Sequence, residues 1–124
     1  MSQQDFHFIV ADDDPDLRFF VRRIILQQYP HATVSEASDG EEALKLYDTG
    51  GADLMVIDQM IPFLSGTDLI RQLRTRKVSI PLIMASNYPE AKEKAMSAGA
   101  TFFLDKNSLK QNLGYYLPAL MPHR

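Results

Sequence analysis

The stretch Leu54-Met55-Val56-Ile57-Asp58 decides the fold, because it is a short, uninterrupted apolar run that ends in a carboxylate. A strand that is buried on both faces has this composition, and such strands are typical of parallel sheets covered by helices. The chain has four further short, largely apolar runs. They span residues 6–11, 32–37, 80–85 and 100–104. The sequence therefore predicts five strands.

Helical patterns fill the intervals between these runs. The first helix is predicted to begin at Asp14-Pro15, because aspartate is a favourable N-cap and proline suits the first helical position. It should end before Pro30. Its inward stripe at helical spacing consists of Leu17, Phe20, Val21, Ile24 and Gln28. The second helix should follow a capping box at Ser38-Asp39-Gly40-Glu41 and end at Gly50-Gly51.

Three more helices follow in the second half of the chain. The third is expected over 66–77, with Leu69, Ile70 and Leu73 facing inward. The fourth is short, opened by Pro89 and closed by Gly99. Its inward face is formed by Ala91, Ala95 and Ala98. The fifth is expected to be interrupted by Pro118. Its stripe consists of Leu109, Leu113, Tyr116, Leu117 and Leu120.

Five strands that alternate with five helices predict a doubly wound α/β domain, a five-stranded parallel sheet with helices on both faces. A length of 124 residues predicts a single domain, which spans residues 1–124. The chain has no cysteine, which excludes disulfides, thiolate chemistry and cysteine-ligated metals. Thirteen basic and 16 acidic residues give a net charge of −3, which argues against a nucleic-acid-binding domain. Met1–Asp5 lacks the features of a signal peptide and no run is long enough to span a membrane, so we expect a soluble, cytoplasmic protein.

Polar residues stand at the carboxyl ends of the predicted strands, where ligands bind in open α/β sheets. These are Asp12-Asp13-Asp14 after the first strand, Asp58 after the third, Ser86-Asn87 after the fourth and Asp105-Lys106 after the fifth. The carboxylates of Asp12, Asp13 and Asp58 would repel one another unless a hard divalent cation lies between them. The sequence therefore predicts a Mg²⁺ site. A carboxylate there could also attack phosphorus and form an aspartyl phosphate.

Each of these groups taken alone has a simpler explanation. An acidic run before a helix suits the helix dipole, Ser-Asn commonly forms a turn, and an isolated lysine is usually solvated. The set gains weight because every member falls at an independently predicted strand end. The three histidines, His7, His31 and His123, are isolated and do not suggest a zinc site.

Four motifs, in this order and spacing, resemble the receiver domain of the response regulators of two-component signalling. They are 9–15 with its acidic pair, 53–62 with Gly66 beyond it, 81–86 with its hydroxyl, and 99–106 with its lysine. The resemblance covers nearly the whole chain, from about Phe6 to Leu117. It implies a flavodoxin-like sheet with strand order 2-1-3-4-5.

The resemblance also implies roles for individual residues. Asp58 would accept the phosphoryl group, Asp13 would bind Mg²⁺ directly, and Asp12 would bind it largely through water. The metal would also be bound by the backbone carbonyl of Met60. Ser86 and Lys106 would bind phosphoryl oxygens, and Phe103 would be the switch aromatic that follows the serine hydroxyl.

Three features depart from the family pattern. Asn87 stands where a small residue is usual, and Asn107 follows Lys106 in place of proline. The segment 86–99 is slightly short, with Pro89 inside it. The sequences after the fourth and fifth strands resemble a subgroup that often stands alone, so we expect no output domain in this chain.

The resemblance implies a switch that is not an enzyme in the ordinary sense, because it catalyses only its own phosphorylation and dephosphorylation. Its partners would be a histidine kinase or histidine phosphotransfer protein and a downstream protein, without direct contact to nucleic acid or membrane. Two alternatives remain open at this stage. One is a receiver-like interaction module that is not phosphorylated. The other is an aspartyl-phosphate phosphatase, which would need a second carboxylate at the position of Met60.

Overall fold

A computed structural model describes residues 5–122, so the expectations for the first four residues and for His123 lie outside the described range. Strands and helices alternate along the chain. They are β1 (His7–Ala11), α1 (Pro15–Gln28), β2 (Thr33–Ala37), α2 (Gly40–Gly50), β3 (Leu54–Asp58), α3 (Gly66–Thr75), β4 (Leu82–Ser86), α4 (Ala91–Ala98), β5 (Phe102–Asp105) and α5 (Leu109–Leu120), with a 3₁₀ turn at Lys106–Ser108 between β5 and α5. No helix in the described range is long and apolar enough to cross a membrane.

The five strands form one parallel sheet in the order β2-β1-β3-β4-β5. In β1, Ala11 pairs with Ala37 of β2 on one side and with Ile57 of β3 on the other. On the far side of β3, Asp58 pairs with Ala85 of β4. All five strands run in the same direction, so their carboxyl ends meet at one edge of the sheet. The predicted fold class and strand order are confirmed.

The two faces of the sheet bury separate cores, because successive side chains of a strand point to opposite faces. On β1, Phe8 and Val10 pack with α1 and α5, whereas Ile9 and Ala11 pack with α2, α3 and α4. All five residues of β3 and all five of β4 are buried. The near-continuous apolar composition of Leu54–Ile57 follows from this burial on both faces.

Most helix boundaries agree with the sequence, and one capping motif shifts by a residue. The side chain of Asp14 caps α1 by accepting the Asp16 N–H, with Pro15 as the first helical residue. At α2 the N-cap is Asp39, which accepts the Glu42 N–H, while the Glu42 carboxylate accepts the Ser38 N–H. The predicted box at Ser38–Glu41 is therefore wrong by one position, because Asp39 and Glu42 satisfy the free backbone donors.

The inward face of α1 also differs from the predicted stripe. Val21 and Ile24 are buried as expected, but Phe20 is 38% exposed and Ile25, absent from the stripe, is fully buried. The five-residue spacing from Phe20 to Ile25 takes them to different sides of the helix, and the packing of α1 against α5 selects the face that holds Ile25. The inward alanines of α4 and the inward leucines of α3 are buried as predicted.

Helix α5 continues through Pro118 to Leu120, so the expected interruption does not occur. A proline has no N–H, and its ring leaves the carbonyl four residues earlier without the usual helical donor. That carbonyl belongs to Gly114, and it accepts a 2.6 Å hydrogen bond from the side-chain amide of Gln28 on α1. The neighbouring helix therefore supplies the donor that Pro118 lacks.

This compensation predicts a coupled effect on stability. Gln28→Ala should lower the free energy of unfolding by about 1 kcal/mol, because the Gly114 carbonyl loses its donor. In a Pro118→Ala background the helix supplies its own N–H, and we expect the same Gln28 substitution to cost much less. Urea unfolding of the two single variants and the double variant measures this coupling. Equal costs in both backgrounds would show that the contact does not compensate for the proline.

Candidate functional site

Three carboxylates and one ammonium converge at the carboxyl edge of the sheet. One carboxylate oxygen from each of Asp12, Asp13 and Asp58 can be chosen so that all three lie within 4.8 Å of one another. Nζ of Lys106 lies 2.9 Å from Asp12 Oδ2 and 3.0 Å from Asp58 Oδ1. Asp12 and Asp58 are buried, whereas Asp13 is exposed. The groups predicted from separate strand ends are therefore brought together.

The burial of these charges shifts their protonation. Desolvation raises the pKa of Asp58, and the nearby Asp12 carboxylate adds to the rise, while the hydrogen bond from Lys106 opposes it. Burial alone would lower the pKa of Lys106, but its hydrogen bonds and its charge attraction to Asp12 and Asp58 together outweigh burial and raise the pKa. Keeping Asp58 ionised in this buried position therefore costs free energy. Additional positive charge nearby would reduce that cost.

Ser86 lies beside this cluster at the end of β4, one residue beyond the register partner of Asp58. It is 1% exposed, and its Oγ accepts a 3.0 Å hydrogen bond from the Tyr88 N–H. A hydroxyl that accepts this bond can still donate its own proton. Phe103 on β5 is partly buried and packs against the core shared with α2, α3 and α4.

The loop after Asp58 is held by close polar contacts. The side-chain oxygen of Gln59 accepts hydrogen bonds from both the N–H and the hydroxyl of Thr67, at 2.9 and 2.6 Å. The Gln59 carbonyl also accepts the Gly66 N–H at 3.0 Å. Met60, the next residue, is 61% exposed, and its backbone N–H donates to the Asp58 carboxylate. These contacts set the path of the backbone that leaves Asp58.

The donor set suits a hard cation. Carboxylate oxygens, with a backbone carbonyl and water, are the ligands that Mg²⁺ prefers. The two described histidines are not part of the cluster, since Nε2 of His7 bonds to Ser35 Oγ at 2.8 Å and His31 lies in the turn before β2. Lys106 bridges Asp12 and Asp58 with one positive charge against three carboxylates, so negative charge remains for a metal.

Comparison of the chain with known protein families agrees with this fold and with its acidic edge. Residues 8–116 match the model of the response regulator receiver domain. The chain belongs to the receiver-domain family. Among curated relatives, the nitrate/nitrite response regulator protein NarL of Escherichia coli is 29% identical over 114 residues, which are 90% of this chain and 53% of NarL. The response regulator MprA of Mycobacterium ulcerans is 31% identical over 115 residues, 91% of this chain and 49% of MprA.

Solved receiver structures superpose closely on this one. The receiver domain of Francisella response regulator 1452 has a TM-score of 0.81 and 30% identity, over 93% of this chain and 95% of that chain. The response regulator TrrA of Thermotoga maritima, solved in complex with Mg²⁺ and BeF, has a TM-score of 0.82 and 25% identity, over 94% and 99%. This receiver domain spans between about a third and a half of the length of the first curated relatives it matches. The receiver family does not consist of enzymes in the ordinary sense.

Sequence reasoning missed some residues that support the acidic edge. Arg18 is not in the predicted inward stripe of α1, yet its guanidinium reaches the Asp12 carbonyl and the Glu36 carboxylate. The available signal was its position in the first turn, because long helical side chains lean toward the helix N-terminus. The pair Gln59 and Thr67 had no such signal, since their contact depends on how the loop closes onto α3.

Two of the three departures from the family pattern, Asn87 and Asn107, lie at the carboxyl edge of the sheet. Asn87 is exposed beside Ser86, and Tyr88 is 50% exposed. The N–H of Asn107 donates to Asp105 Oδ1 at 2.8 Å, which starts the turn that contains Lys106. Helix α4 has eight residues and ends at Gly99, whose φ of 117° lies in the left-handed region. Asn87, Tyr88 and Asn107 are thus exposed at the edge of the sheet that holds Ser86 and Lys106.

Proposed function

We propose that this receiver domain is a phosphorylation-dependent switch that accepts a phosphoryl group on Asp58 in the presence of Mg²⁺. The observation that supports it is the convergence of the Asp12, Asp13 and Asp58 carboxylates, with the ammonium of Lys106 bound to Asp12 and Asp58. Three carboxylates at one edge repel one another, so they do not stabilise the fold. With a cation and a buried hydroxyl beside them, they suit phosphoryl transfer.

In the proposed reaction a carboxylate oxygen of Asp58 attacks the phosphorus of a phosphohistidine. The O–P bond forms while the P–N bond breaks, and the electron pair of that bond stays on the imidazole nitrogen, which takes up a proton. The hydrogen bonds from Lys106 and from the Met60 N–H orient the carboxylate for this attack. The attacking group is the ionised form of Asp58, which the hydrogen bond from Lys106 favours while burial raises the pKa of the carboxyl.

The metal would be held by Asp12, Asp13 and Asp58, with the Met60 carbonyl as a further ligand. When bound, Mg²⁺ supplies positive charge to the phosphoryl oxygens as negative charge is redistributed in the transition state. Asp13 is the exposed member of the acidic set and can take the metal from solvent. Asp12 is buried and bound to Lys106 and to the Asp14 N–H, which suits a ligand that acts through water.

Lys106 and Ser86 would hold the other phosphoryl oxygens. Lys106 already bonds the Asp58 oxygen and can keep its ammonium at the same place when that oxygen carries phosphorus. Ser86 accepts from the Tyr88 N–H and would donate its proton to a phosphoryl oxygen. Phe103, only partly buried on the neighbouring strand, would change its rotamer as Ser86 moves. The exposed face around β5 would then present a different surface to a partner.

Membership of the receiver family implies a kinase partner. We propose that a histidine kinase or a histidine phosphotransfer protein supplies the phosphoryl group and that an unidentified downstream protein responds to it. We further propose that residues 1–124 form a single receiver domain.

The test is labelling of the purified domain by a small phosphodonor such as phosphoramidate. With Mg²⁺ we expect one phosphoryl group per chain, released by hydroxylamine as an acyl phosphate is, and mapped by mass spectrometry to the peptide that contains Asp58. Chelation of Mg²⁺ should suppress the labelling. Absence of labelling at saturating Mg²⁺ would favour an interaction module that is not phosphorylated. Repeated turnover of phosphoesters would instead indicate a phosphatase.

Replacing Asp13 with alanine should remove most of the Mg²⁺ response. Wild-type protein should gain about 2.7 kcal/mol of unfolding free energy at a Mg²⁺ concentration 100 times its dissociation constant, because the metal binds only the folded state. Asp13→Ala should gain far less and should be labelled poorly. Thermal unfolding with and without Mg²⁺ measures the gain. Asp16→Ala, which removes an exposed carboxylate three residues further along the chain, is the control and should keep the full response.

A further inference from the structure

Arg18 connects the acidic edge to strand β2. Its Nη1 donates to the backbone carbonyl of Asp12 at 2.7 Å, and its Nε donates to Glu36 Oε1 at 2.9 Å. The side chain of Arg18 is only 17% exposed. A guanidinium that is bound along two directions in this way has a fixed position, because its donors form a rigid planar fork.

The carbonyl that Arg18 binds belongs to the peptide group between Asp12 and Asp13. That group is planar, so fixing the position of the Asp12 carbonyl oxygen also fixes the nitrogen of Asp13. The same plane contains the Cα atoms of both residues, so the backbone on either side of it is oriented as well. The remaining bonds of Asp12 are made by its N–H to Ala37 and by its carboxylate to Lys106 and to the Asp14 N–H. Arg18 is the side chain that bonds this peptide's oxygen.

The position of Arg18 is unexpected for electrostatic reasons. A cation beside an acidic metal site repels the metal, and a site built only for attraction would leave it out. Glu36 reduces this repulsion, because its carboxylate binds Arg18 and also lies 3.4 Å from Arg22. Arg18 is therefore a rigid hydrogen-bond donor next to the proposed metal site, and its positive charge is paired with Glu36.

We propose that Arg18, held by Glu36, is a positioning residue that fixes the Asp12–Asp13 peptide plane and so sets the geometry in which the two carboxylates receive Mg²⁺. This inference rests on the proposed function, because it assumes that these carboxylates bind the metal. Arg18 does not bind the metal or the phosphoryl group itself. It acts through the backbone between the two ligands.

A positioning role and a purely electrostatic role of Arg18 predict opposite changes in cation affinity when Arg18 is replaced. Loss of a repelling cation should tighten the binding of any divalent cation, whereas loss of geometry should weaken binding. Geometry should matter more for Mg²⁺, which requires near-ideal octahedral ligands, than for Ca²⁺, which tolerates irregular ones. The ratio of the two dissociation constants is therefore a readout that a general loss of stability would not change.

The experiment measures Mg²⁺ and Ca²⁺ dissociation constants by calorimetric titration of wild type, Arg18→Lys, Arg18→Ala and Arg22→Ala. Arg18→Lys keeps the charge but cannot reproduce the two-way contact, and we expect its Mg²⁺ dissociation constant to rise about tenfold, as for other residues that orient metal ligands. Its Ca²⁺ dissociation constant should rise much less. Arg18→Ala should behave in the same way. Arg22→Ala also removes a contact with Glu36 but none with Asp12, and should bind both cations as wild type does.

Two results would overturn the proposal while leaving the proposed function intact. One is unchanged or tighter Mg²⁺ binding by the Arg18 variants, which would make charge the dominant effect. The other is an equal weakening for both cations, which would indicate a general loss of stability. If wild type itself fails to bind Mg²⁺ at millimolar concentration, the proposed function fails and this inference fails with it. Should Arg18→Ala not fold, Arg18→Lys carries the test alone.

Discussion

Asp58→Asn is expected to abolish phosphoryl labelling of the domain. Asparagine has nearly the same shape as aspartate, but its amide is neutral and is not a nucleophile toward phosphorus. The fold should persist, because Lys106 keeps its 2.9 Å contact with Asp12. Since burial raises the pKa of Asp58, its ionised form is held at a cost, and the asparagine variant should be at least as stable as wild type.

The measurement is intact mass after incubation with phosphoramidate and Mg²⁺, together with the melting temperature of each protein. Asp105→Asn is the matched control, because Asp105 is an exposed carboxylate at the same edge of the sheet. Its Oδ1 accepts the Asn107 N–H, and asparagine can accept the same bond. The control should be labelled normally. Wild-type labelling of Asp58→Asn would assign the phosphoryl group to another residue.

Gly66→Ala should damage both stability and the site. A Cβ at Gly66 would overlap the backbone carbonyl of Asp58 and would lie 2.9 Å from the Cα of Gln59. Both obstacles are backbone atoms, so the loop after Asp58 must move as a whole. We expect a loss of about 3 kcal/mol in unfolding free energy, as for overpacked interiors. Labelling should slow as well, because the displaced carbonyl belongs to the phosphoacceptor.

Gly50→Ala provides the contrast, since it adds the same methyl group at the end of α2. There the nearest atom is Cε1 of the His7 side chain at 3.6 Å, an ordinary contact. Alanine restricts the unfolded chain and should stabilise the protein by about 0.5 to 1 kcal/mol. Urea unfolding of both variants decides the matter. A Gly66→Ala variant as stable as Gly50→Ala would show that the loop after Asp58 can move to accommodate the added methyl group without a loss of stability.

Sequence periodicity predicted the elements of the fold because each strand and helix is selected by local patterns. The uninterrupted run Leu54–Ile57 matches a strand buried on both faces, and the alanines of α4 match its inward face. Local patterns were less reliable where neighbours compete for the same role. Ser38 and Asp39 are both good N-caps, and Phe20 and Ile25 are both apolar. The choice between them depended on packing against the rest of the chain.

The amino-acid sequence by itself determined which chemical groups stand at the strand ends. Asp12, Asp58 and Ser86 follow from strand prediction and from the rule that parallel strands end at one edge. Their contacts could not be derived in that way. Lys106 bridging Asp12 and Asp58, Gln28 supplying the donor that Pro118 lacks, and Arg18 reaching back to Asp12 were decided only by the tertiary structure. The physical reason is that each contact joins different elements, and its geometry exists only after those elements have packed together.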